Sequence, residues 1–282
     1  MTPTIAQAVA LARETIAKRP FSDAMAEARL LVEAITGLSK TEQIAFDITA
    51  LTREQADRLV AALARRAAGE PLARILGKAP FWDFEVSLND ATLIPRDDTG
   101  RLVEAALERI SITSSPHVAD LGTGSGIVLI ALARERPHLT GLGIDSDARA
   151  VEQARSNARA LGVSDRLAFR MSQWLQGVDE RFDMIVSNPP YIRNGEHRYL
   201  QEEVRKHDPE QALIGGTDGL DAYRALLPQA MRGTVPGGWV IVEIGHTQAD
   251  AVVKLGAQAG LSPVSTDKDL SGNDRVCIFR RP

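Results

Sequence analysis

Cysteine and metal-binding side chains are scarce in this sequence. Cys277 is the only cysteine among 282 residues, which excludes an intramolecular disulfide and a zinc site built on several thiolates. It lies in an apolar run, where we expect a buried strand position rather than a reactive thiol. The five histidines, at positions 117, 138, 197, 207 and 246, lack the spacing of metal ligands. We therefore expect no metal dependence.

Long apolar runs and an excess of basic charge are also missing. Residues 1–4 lack a basic region leading into an apolar core, and no later run approaches bilayer-spanning length. This pattern predicts a cytoplasmic protein without a membrane partner. The formal net charge is −4, which argues against tight, stable binding to nucleic acid because such binding depends on Lys and Arg at phosphates.

Helical periodicity dominates the first 70 residues and predicts a small bundle. Helices are predicted to start at Ser22 and at Thr52, which is followed by Gln55. They are predicted to stop at Gly37 and Gly69. The expected helices cover residues 5–18, 22–36, 40–46 and 52–68. We expect three regions: helices over 1–70, a linker over 71–95 and a larger domain over 96–282.

Strand patterns begin after the helical region. Residues 74–88 predict a β-hairpin, in which Phe81, Trp82 and Phe84 pack rather than stack on bases, because no basic residues are interleaved. From about residue 96 strands alternate with helices, which predicts an α/β fold with a doubly wound, mostly parallel sheet. Residues 262–270 and 274–281 predict an antiparallel hairpin at its edge.

Residues 188–191, Asn-Pro-Pro-Tyr, follow an apolar strand pattern at 182–186. The Asn188 side-chain oxygen and the Pro189 carbonyl can each accept one hydrogen of a planar NH2 group, and Tyr191 can pack on its flat face. Pro189 and Pro190 fix the backbone and exclude water. The motif predicts an amide or amine acceptor, with a proline-rich strand exit as the simpler alternative.

A glycine-rich loop lies between an apolar strand and a helix predicted over residues 127–136. Residues 117–126 read His-Val-Ala-Asp-Leu-Gly-Thr-Gly-Ser-Gly, and their glycines permit a tight turn and close approach to a ligand. A dinucleotide fingerprint would place its third glycine at position 127, where this chain has Ile127. The loop therefore favours a nucleoside ligand over a pyrophosphate.

Two residues at later strand exits are candidates for the same ligand. Asp145 ends the next strand, at residues 139–145, roughly 20 residues past the loop, the spacing at which an acid reaches ribose hydroxyls. The alternative is that it caps the next helix, although Ser146 and Asp147 suit capping better. Trp174 follows a third strand over 166–171 and either covers an adenine or packs in the core.

Together these features resemble a class I S-adenosylmethionine-dependent methyltransferase. The chain is more specifically similar to the PrmC/HemK family of peptide chain release factor glutamine methyltransferases. The segments that carry this similarity are residues 93–99, 209–220 and 242–245. The resemblance implies a seven-stranded Rossmann-like methyltransferase sheet. It also implies methyl transfer from S-adenosylmethionine to the side-chain nitrogen of the glutamine in the Gly-Gly-Gln motif of class I release factors. The N-terminal helices would help to recognise that protein substrate.

The resemblance also implies roles for individual residues, carried over by matching position. The cofactor would be bound by Gly122, Thr123, Gly124, Ser125, Gly126, Asp145, Trp174 and Asn188. The substrate would be bound by Asn188, Pro189, Pro190 and Tyr191, of which Asn188, Pro189 and Tyr191 would also serve catalysis. Three positions depart from the family pattern, namely Gly100 in place of Glu, Gln173 in place of Asp and Asp208 in place of Glu.

Two other functions remain open on the sequence. An exocyclic adenine amine presents the same two hydrogens, so an adenine methyltransferase acting on RNA or DNA would suit the Asn-Pro-Pro-Tyr motif. The negative net charge and the helical N-terminal region weigh against it. A non-catalytic module that binds an adenosine-containing ligand would need the glycine loop but not Asn188.

Overall fold

The computed structural model describes residues 2–19 and 23–282. The helices are, in chain order, α1 (Ile5–Ile16), α2 (Ala24–Thr36), α3 (Lys40–Ala45), α4 (Arg53–Ala67), α5 (Leu72–Leu76), α6 (Gly100–Leu107), α7 (Ile127–Glu135), α8 (Ala148–Ala160), α9 (Glu202–His207), α10 (Glu210–Leu213), α11 (Asp221–Gly233) and α12 (Ala249–Gln258). The strands are β1 (Lys78–Phe81), β2 (Phe84–Ser87), β3 (His117–Leu121), β4 (Thr140–Asp145), β5 (Leu167–Met171), β6 (Phe182–Ser187), β7 (Thr234–Glu243), β8 (Ser262–Lys268) and β9 (Asp274–Arg280).

The chain divides into two compact units. The first extends to Lys78 and also takes in residues 201–207, which contain α9. The second comprises residues 79–200 and 208–282. Within the described residues, no helix combines the length and the apolar character needed to cross a membrane.

The first unit is a small helical bundle whose buried aliphatic side chains come from α1, α2 and α4 and from Leu51, just before α4. Thr52 caps α4 in a capping box with Gln55, and Gly37 ends α2 in the left-handed conformation, as predicted. Asp23 caps α2; the predicted start at Ser22 lies outside the described residues. Buried Arg66 pairs with Glu27 of α2 and Glu203 of α9, so α9 is held in this unit by charge.

The hairpin prediction was correct in part. Strands β1 and β2 form a two-stranded sheet, but residues 74–76 at the start of the predicted strand are helical. The reason is local: Pro71 precedes the first turn of α5 and Gly77 ends it in the left-handed conformation. Phe81 and Phe84 are buried with their rings in an edge-on arrangement, as expected for packing. The expectation was wrong for Trp82, which is 40% exposed and donates through its indole nitrogen to Glu135 at 2.8 Å.

The second unit contains, within its described residues, a seven-stranded sheet in the order β5-β4-β3-β6-β7-β9-β8. Neighbours from β5 to β7 are parallel, and β9 pairs antiparallel with both β7 and β8. This is the predicted mostly parallel sheet with an antiparallel edge. Its side chains alternate between two cores: Met184 and Val186 face α6 and α7, whereas Ile185 faces α11.

The strand order places the exits of β3 and β6 side by side at the middle of the sheet. From β3 the chain moves outward through β4 and β5, then returns to β6 on the other side of β3. Ligands of open α/β sheets bind where the order reverses in this way. Ser187 joins the two exits, because its buried hydroxyl donates to the Leu121 carbonyl at 2.6 Å.

Candidate active site

The glycine loop follows β3 and is shaped by its own backbone. Gly122, Gly124 and Gly126 all have positive φ, between 55° and 85°, a conformation that is strained for residues with a Cβ. The N–H groups of Gly122 and Thr123 donate to the Ile144 carbonyl at 2.8 and 2.9 Å. These bonds hold the loop against the end of β4, next to Asp145.

Asp145 bridges the loop and the next helix. Its carboxylate accepts from the N–H groups of Gly124 at 2.9 Å and Asp147 at 3.0 Å. Burial raises the pKa of Asp145, and these two backbone hydrogen bonds oppose the rise. Asp147, not Asp145, caps α8, which removes the alternative role considered for Asp145. A carboxylate can accept about four hydrogen bonds, so Asp145 retains capacity for ligand hydroxyls.

Asp120 is a second acid of the loop and was not assigned a role from the sequence. It is almost fully buried at the end of β3 and accepts from the Thr123 hydroxyl at 2.7 Å. Burial raises the pKa of Asp120 to about 7, the Thr123 bond lowers it, and the nearby charge of Asp145 raises it. The sequence does contain a signal for Asp120, because it is an acidic residue within an apolar strand pattern. Burying an isolated carboxylate costs free energy, so such a residue is expected to have a specific role.

The Asn-Pro-Pro-Tyr segment leaves β6 opposite the glycine loop. The Asn188 Nδ2 atom donates to Thr99 Oγ1 at 3.0 Å, so the Asn188 side-chain oxygen is the atom left for a ligand. Tyr191 instead directs its hydroxyl to Glu243 Oε1 at 3.5 Å and packs partly against the core. Burial raises the pKa of Tyr191, and the charge of Glu243 adds to the rise.

Residues 213–219 and Gln248 hold the backbone of this segment. Gln248 Nε2 donates to the carbonyls of Tyr191 at 3.0 Å and Gly219 at 3.2 Å, while its Oε1 accepts from the Gly245 N–H at 3.0 Å. A Cβ at Gly219 would lie 2.4 Å from the Tyr191 carbonyl oxygen. Only glycine permits this approach, so the segment after α10 fits closely against Tyr191.

Most predicted site residues line one pocket. They are Gly122, Thr123, Gly124, Ser125, Asp145, Trp174, Asn188 and Pro190. Gly126 instead caps the start of α7, and Pro189 and Tyr191 are not among the residues that line the pocket. The lining also includes side chains that were not assigned from the sequence, among them Thr99, Asp120, Arg96 and Gln211.

The three departures from the family pattern have identifiable surroundings. Gln173 lines the pocket. Gly100 begins α6, and a Cβ there would lie 4.0 Å from the Trp82 ring. The Asp208 side chain is fully buried and pairs with Arg96, so the shorter acid still reaches a cation at the pocket.

The pocket suits an organic ligand with a nucleoside part. The glycines with positive φ allow a ligand to approach the backbone closely, and Asp145 offers a carboxylate. Trp174 offers an aromatic ring beside Gly122, because a Cβ at Gly122 would lie 3.8 Å from that ring. Among residues 2–19 and 23–282, no group of three or more His, Cys, Asp or Glu side chains could hold a metal ion.

Comparison with known proteins agrees with this geometry. Residues 97–210 match the family Methyltransferase small domain, and residues 7–77 match PrmC N-terminal domain. A release factor glutamine methyltransferase of Bradyrhizobium diazoefficiens is 44% identical over 294 residues, which cover 100% of this chain and 99% of that protein. A release factor glutamine methyltransferase of Agrobacterium fabrum is 40% identical, over 99% of this chain and 98% of that protein.

Solved structures extend the comparison to the fold. The chain resembles a methyltransferase from Pyrococcus furiosus with a TM-score of 0.54 and 17% identity, over 82% of this chain and 99% of that one. At this identity the likeness shows the fold alone. The sequence similarity is much higher and spans the whole chain, so the protein belongs to the family of release factor glutamine methyltransferases.

Proposed function

We propose that this protein transfers a methyl group from S-adenosylmethionine to the side-chain amide nitrogen of the glutamine in the Gly-Gly-Gln motif of class I release factors. The observation that carries the proposal is the Asn188 amide. Its nitrogen is held by Thr99 at 3.0 Å, and its oxygen is left for the pocket that also contains the glycine loop. Family membership supplies the substrate class.

The residues of the pocket fit S-adenosylmethionine. The glycine loop, with Thr123 and Ser125, would hold the amino acid part; Asp145 would accept from the ribose hydroxyls and Trp174 would cover the adenine. When bound, this molecule supplies an electrophilic methyl group on a positively charged sulfur. The carboxylate of Asp145 would add negative charge beside it, which favours binding of a cation.

The acceptor side would align the amide nitrogen. An amide nitrogen is a weak nucleophile, so its lone pair must be aimed at the methyl group. Asn188 Oδ1 and the Pro189 carbonyl would each accept one amide hydrogen, and Pro190 and Tyr191 would shape the surroundings. The nitrogen would gain the methyl group as the bond between that group and the sulfur breaks, leaving a neutral thioether, and would release one proton to water. Catalysis rests on orientation rather than on a strong base.

Methyl transfer from labelled S-adenosylmethionine to purified, unmethylated release factor tests this function. The matched control is the same factor with Gln→Ala in its Gly-Gly-Gln motif, and ribosomal RNA is added as a competing acceptor. We expect label on the unaltered factor alone. Label on RNA alone would support adenine methylation, and label on neither, with cofactor bound, would support a non-catalytic module.

Three further predictions are part of the proposal. The N-terminal helical unit, which matches PrmC N-terminal domain over residues 7–77, would recognise the release factor. A substrate that acts in translation supports a cytoplasmic location. The net charge of −4 supports the absence of stable nucleic-acid binding.

A further inference from the structure

The backbone of Trp174 has an unusual conformation for so large a residue. Its φ is +54°, in the left-handed region, which Trp82 alone shares among the described residues other than glycine. This region is strained for residues with a Cβ, and bulky side chains rarely adopt it. Such strain persists only where the surrounding structure holds it, and it is concentrated at functional sites. The contacts around Trp174 must therefore compensate for the strain.

Trp174 lies in a tight turn at the exit of β5. The Gln176 N–H donates to the Gln173 carbonyl at 3.2 Å, which closes a four-residue turn with Trp174 at its second position. Turns with positive φ at that position are dominated by glycine, asparagine and aspartate. The Ser172 hydroxyl also closes the turn by donating to the Gln176 carbonyl at 2.7 Å. The Ser172 N–H donates to the Asp145 carbonyl at 2.9 Å, which joins the turn to the exit of β4.

Helix α11 holds the residue that follows Trp174. The Leu175 N–H donates to Gln229 Oε1 at 3.1 Å, and Gln229 Nε2 donates to the Ala225 carbonyl of the same helix at 3.0 Å. The second bond turns the Gln229 amide so that its oxygen faces Leu175. The Leu175 side chain is buried, and a Cβ at Gly233 would lie 2.4 Å from its Cδ1 atom. Leu175 is thus anchored to α11 by both its backbone and its side chain.

The hydrogen bond to Gln229 bears directly on the conformation of Trp174. The Leu175 N–H belongs to the planar peptide group that follows Trp174, so the dihedral angles of Trp174 orient it. A change of Trp174 to the extended or right-handed region would rotate this peptide group and separate its N–H from Gln229. The lost hydrogen bond would oppose that change. Gln229 therefore stabilises the strained conformation against the relaxed ones.

We infer that Gln229 positions Trp174, by holding the left-handed backbone that aims its ring at the glycine loop. The ring lines the pocket, and a Cβ at Gly122 would lie 3.8 Å from it. The inference rests on the proposed function, in which Trp174 covers the adenine of S-adenosylmethionine. Gln229 itself is not among the residues that line the pocket, so it acts through Trp174 as a positioning residue.

A ring that is fixed before the ligand arrives favours binding. The order of the side chain and its turn is then created on folding rather than on binding, so the ligand does not have to supply it. Removal of an aromatic ring that stacks on a base weakens binding by about 5- to 150-fold. Loosening Trp174 without removing its ring should cause part of that loss.

Two substitutions of Gln229 isolate its acceptor oxygen. Gln229→Met keeps the length of the side chain and removes both polar groups, whereas Gln229→Glu keeps an oxygen that can accept from Leu175. We expect Gln229→Met to raise the Kd for S-adenosylmethionine, measured by calorimetry, by about 2- to 10-fold. Gln229→Glu should bind close to wild type. A wild-type Kd in Gln229→Met, or equal increases in both variants, would overturn the inference.

Kinetics with unmethylated release factor give a second readout for the same variants. In Gln229→Met the KM for S-adenosylmethionine should rise with the Kd, while kcat falls less, because the change affects the cofactor side of the pocket. Circular dichroism checks that each variant is folded. A fall in kcat without a rise in KM would contradict a role at the adenine.

A double-mutant cycle tests whether Gln229 acts through the Trp174 ring. Trp174→Ala alone should raise the Kd for S-adenosylmethionine by about 5- to 150-fold. In that background Gln229→Met should change the Kd little further, because no ring is left to position. Equal increases in the two backgrounds would show that Gln229 affects binding by another route and would overturn the inference.

Thermal unfolding of Trp174→Gly and Trp174→Ala tests the strain. Both variants lack the ring, but glycine adopts positive φ without strain and alanine does not. We expect the Tm of Trp174→Gly to lie about 1 to 4 °C above that of Trp174→Ala. A Tm at or below that of Trp174→Ala would show that the position is not strained, and the inference would fail with it.

The wild-type enzyme separates a failure of this inference from a failure of the proposed function. If the wild type binds S-adenosylmethionine and labels the release factor, and Gln229→Met does both equally well, only the positioning role fails. If the wild type binds S-adenosylmethionine but labels no release factor, the proposed function fails. The comparison of Kd values then still decides the role of Gln229.

Discussion

The two sides of the pocket are held in different ways. The glycine loop after β3 is fixed mainly by its own backbone, through N–H groups bonded to the Ile144 carbonyl and Asp145. The segment after β6 is fixed by side chains from other elements, among them Thr99 and Gln248. The cofactor side is therefore a local structure, whereas the acceptor side depends on the assembled fold.

This difference explains what the sequence could predict. Glycine spacing and an acid at the next strand exit predict the loop and Asp145, because the residues involved are close in sequence and their backbone conformation is restricted. Thr99 lies 89 positions from Asn188, and Gln248 lies 57 from Tyr191. No local sequence pattern predicts contacts between residues so far apart in the chain. Glu243 is unusual in another way, because it is an acidic residue at the end of an apolar strand.

The fold was predictable for similar reasons. The capping box at Thr52 and the stop at Gly37 are local signals, and both are confirmed. Alternating strands and helices predicted the mostly parallel sheet. The helical start of the expected hairpin was missed because residues 72–76 form barely more than one turn, too short for apolar periodicity to distinguish a helix from a strand.

The largest expected effect separates the two sides directly. Asn188→Ala removes the acceptor that aligns the substrate nitrogen, and we expect kcat to fall by about 100- to 1,000-fold. The Kd for S-adenosylmethionine, measured by calorimetry, should change little. Asn194→Ala, an exposed asparagine of the same loop, is the control. Equal turnover by Asn188→Ala and wild type would remove Asn188 from the mechanism.

Asp145→Ala tests the other side of the pocket. Loss of a charged acceptor should weaken S-adenosylmethionine binding by roughly 1.5 to 3 kcal/mol, which is roughly a 10- to 150-fold higher Kd. Asp147→Asn keeps the cap of α8 and should bind normally. An unchanged Kd in Asp145→Ala would limit Asp145 to its bonds with Gly124 and Asp147.

Gln248→Ala tests the dependence of the acceptor side on distant side chains. It leaves the carbonyls of Tyr191 and Gly219 without their partner, and we expect a loss of about 1 to 3 kcal/mol in unfolding free energy and a lower kcat. Denaturant unfolding measures the first quantity. Gln258→Ala, at the exposed end of α12, should match wild type in both. If Gln248→Ala also matches wild type, the hydrogen bonds of the Gln248 side chain contribute neither to the unfolding free energy nor to kcat.

The smallest effect on turnover is expected for a change that concerns pH and the buried Asp120. Its pKa is raised from 3.8 to about 7 by burial, so the native state holds this proton at pH values where the unfolded chain has lost it. This contribution to stability is complete below pH 3.8 and is lost as pH rises through about 7. Asp120→Asn should weaken the decline in Tm across this range. An unchanged profile would show that another group controls it.

The most direct test of the proposed function is the position of the methyl group on the product. Tandem mass spectrometry of the release factor, after reaction with S-adenosylmethionine and wild-type enzyme, locates the added group on the peptide that contains Gly-Gly-Gln. We predict a single methyl group on the side-chain nitrogen of that glutamine. A methyl group on another residue, or an unmodified factor beside methylated adenine in added RNA, would contradict an acceptor site built around Asn188.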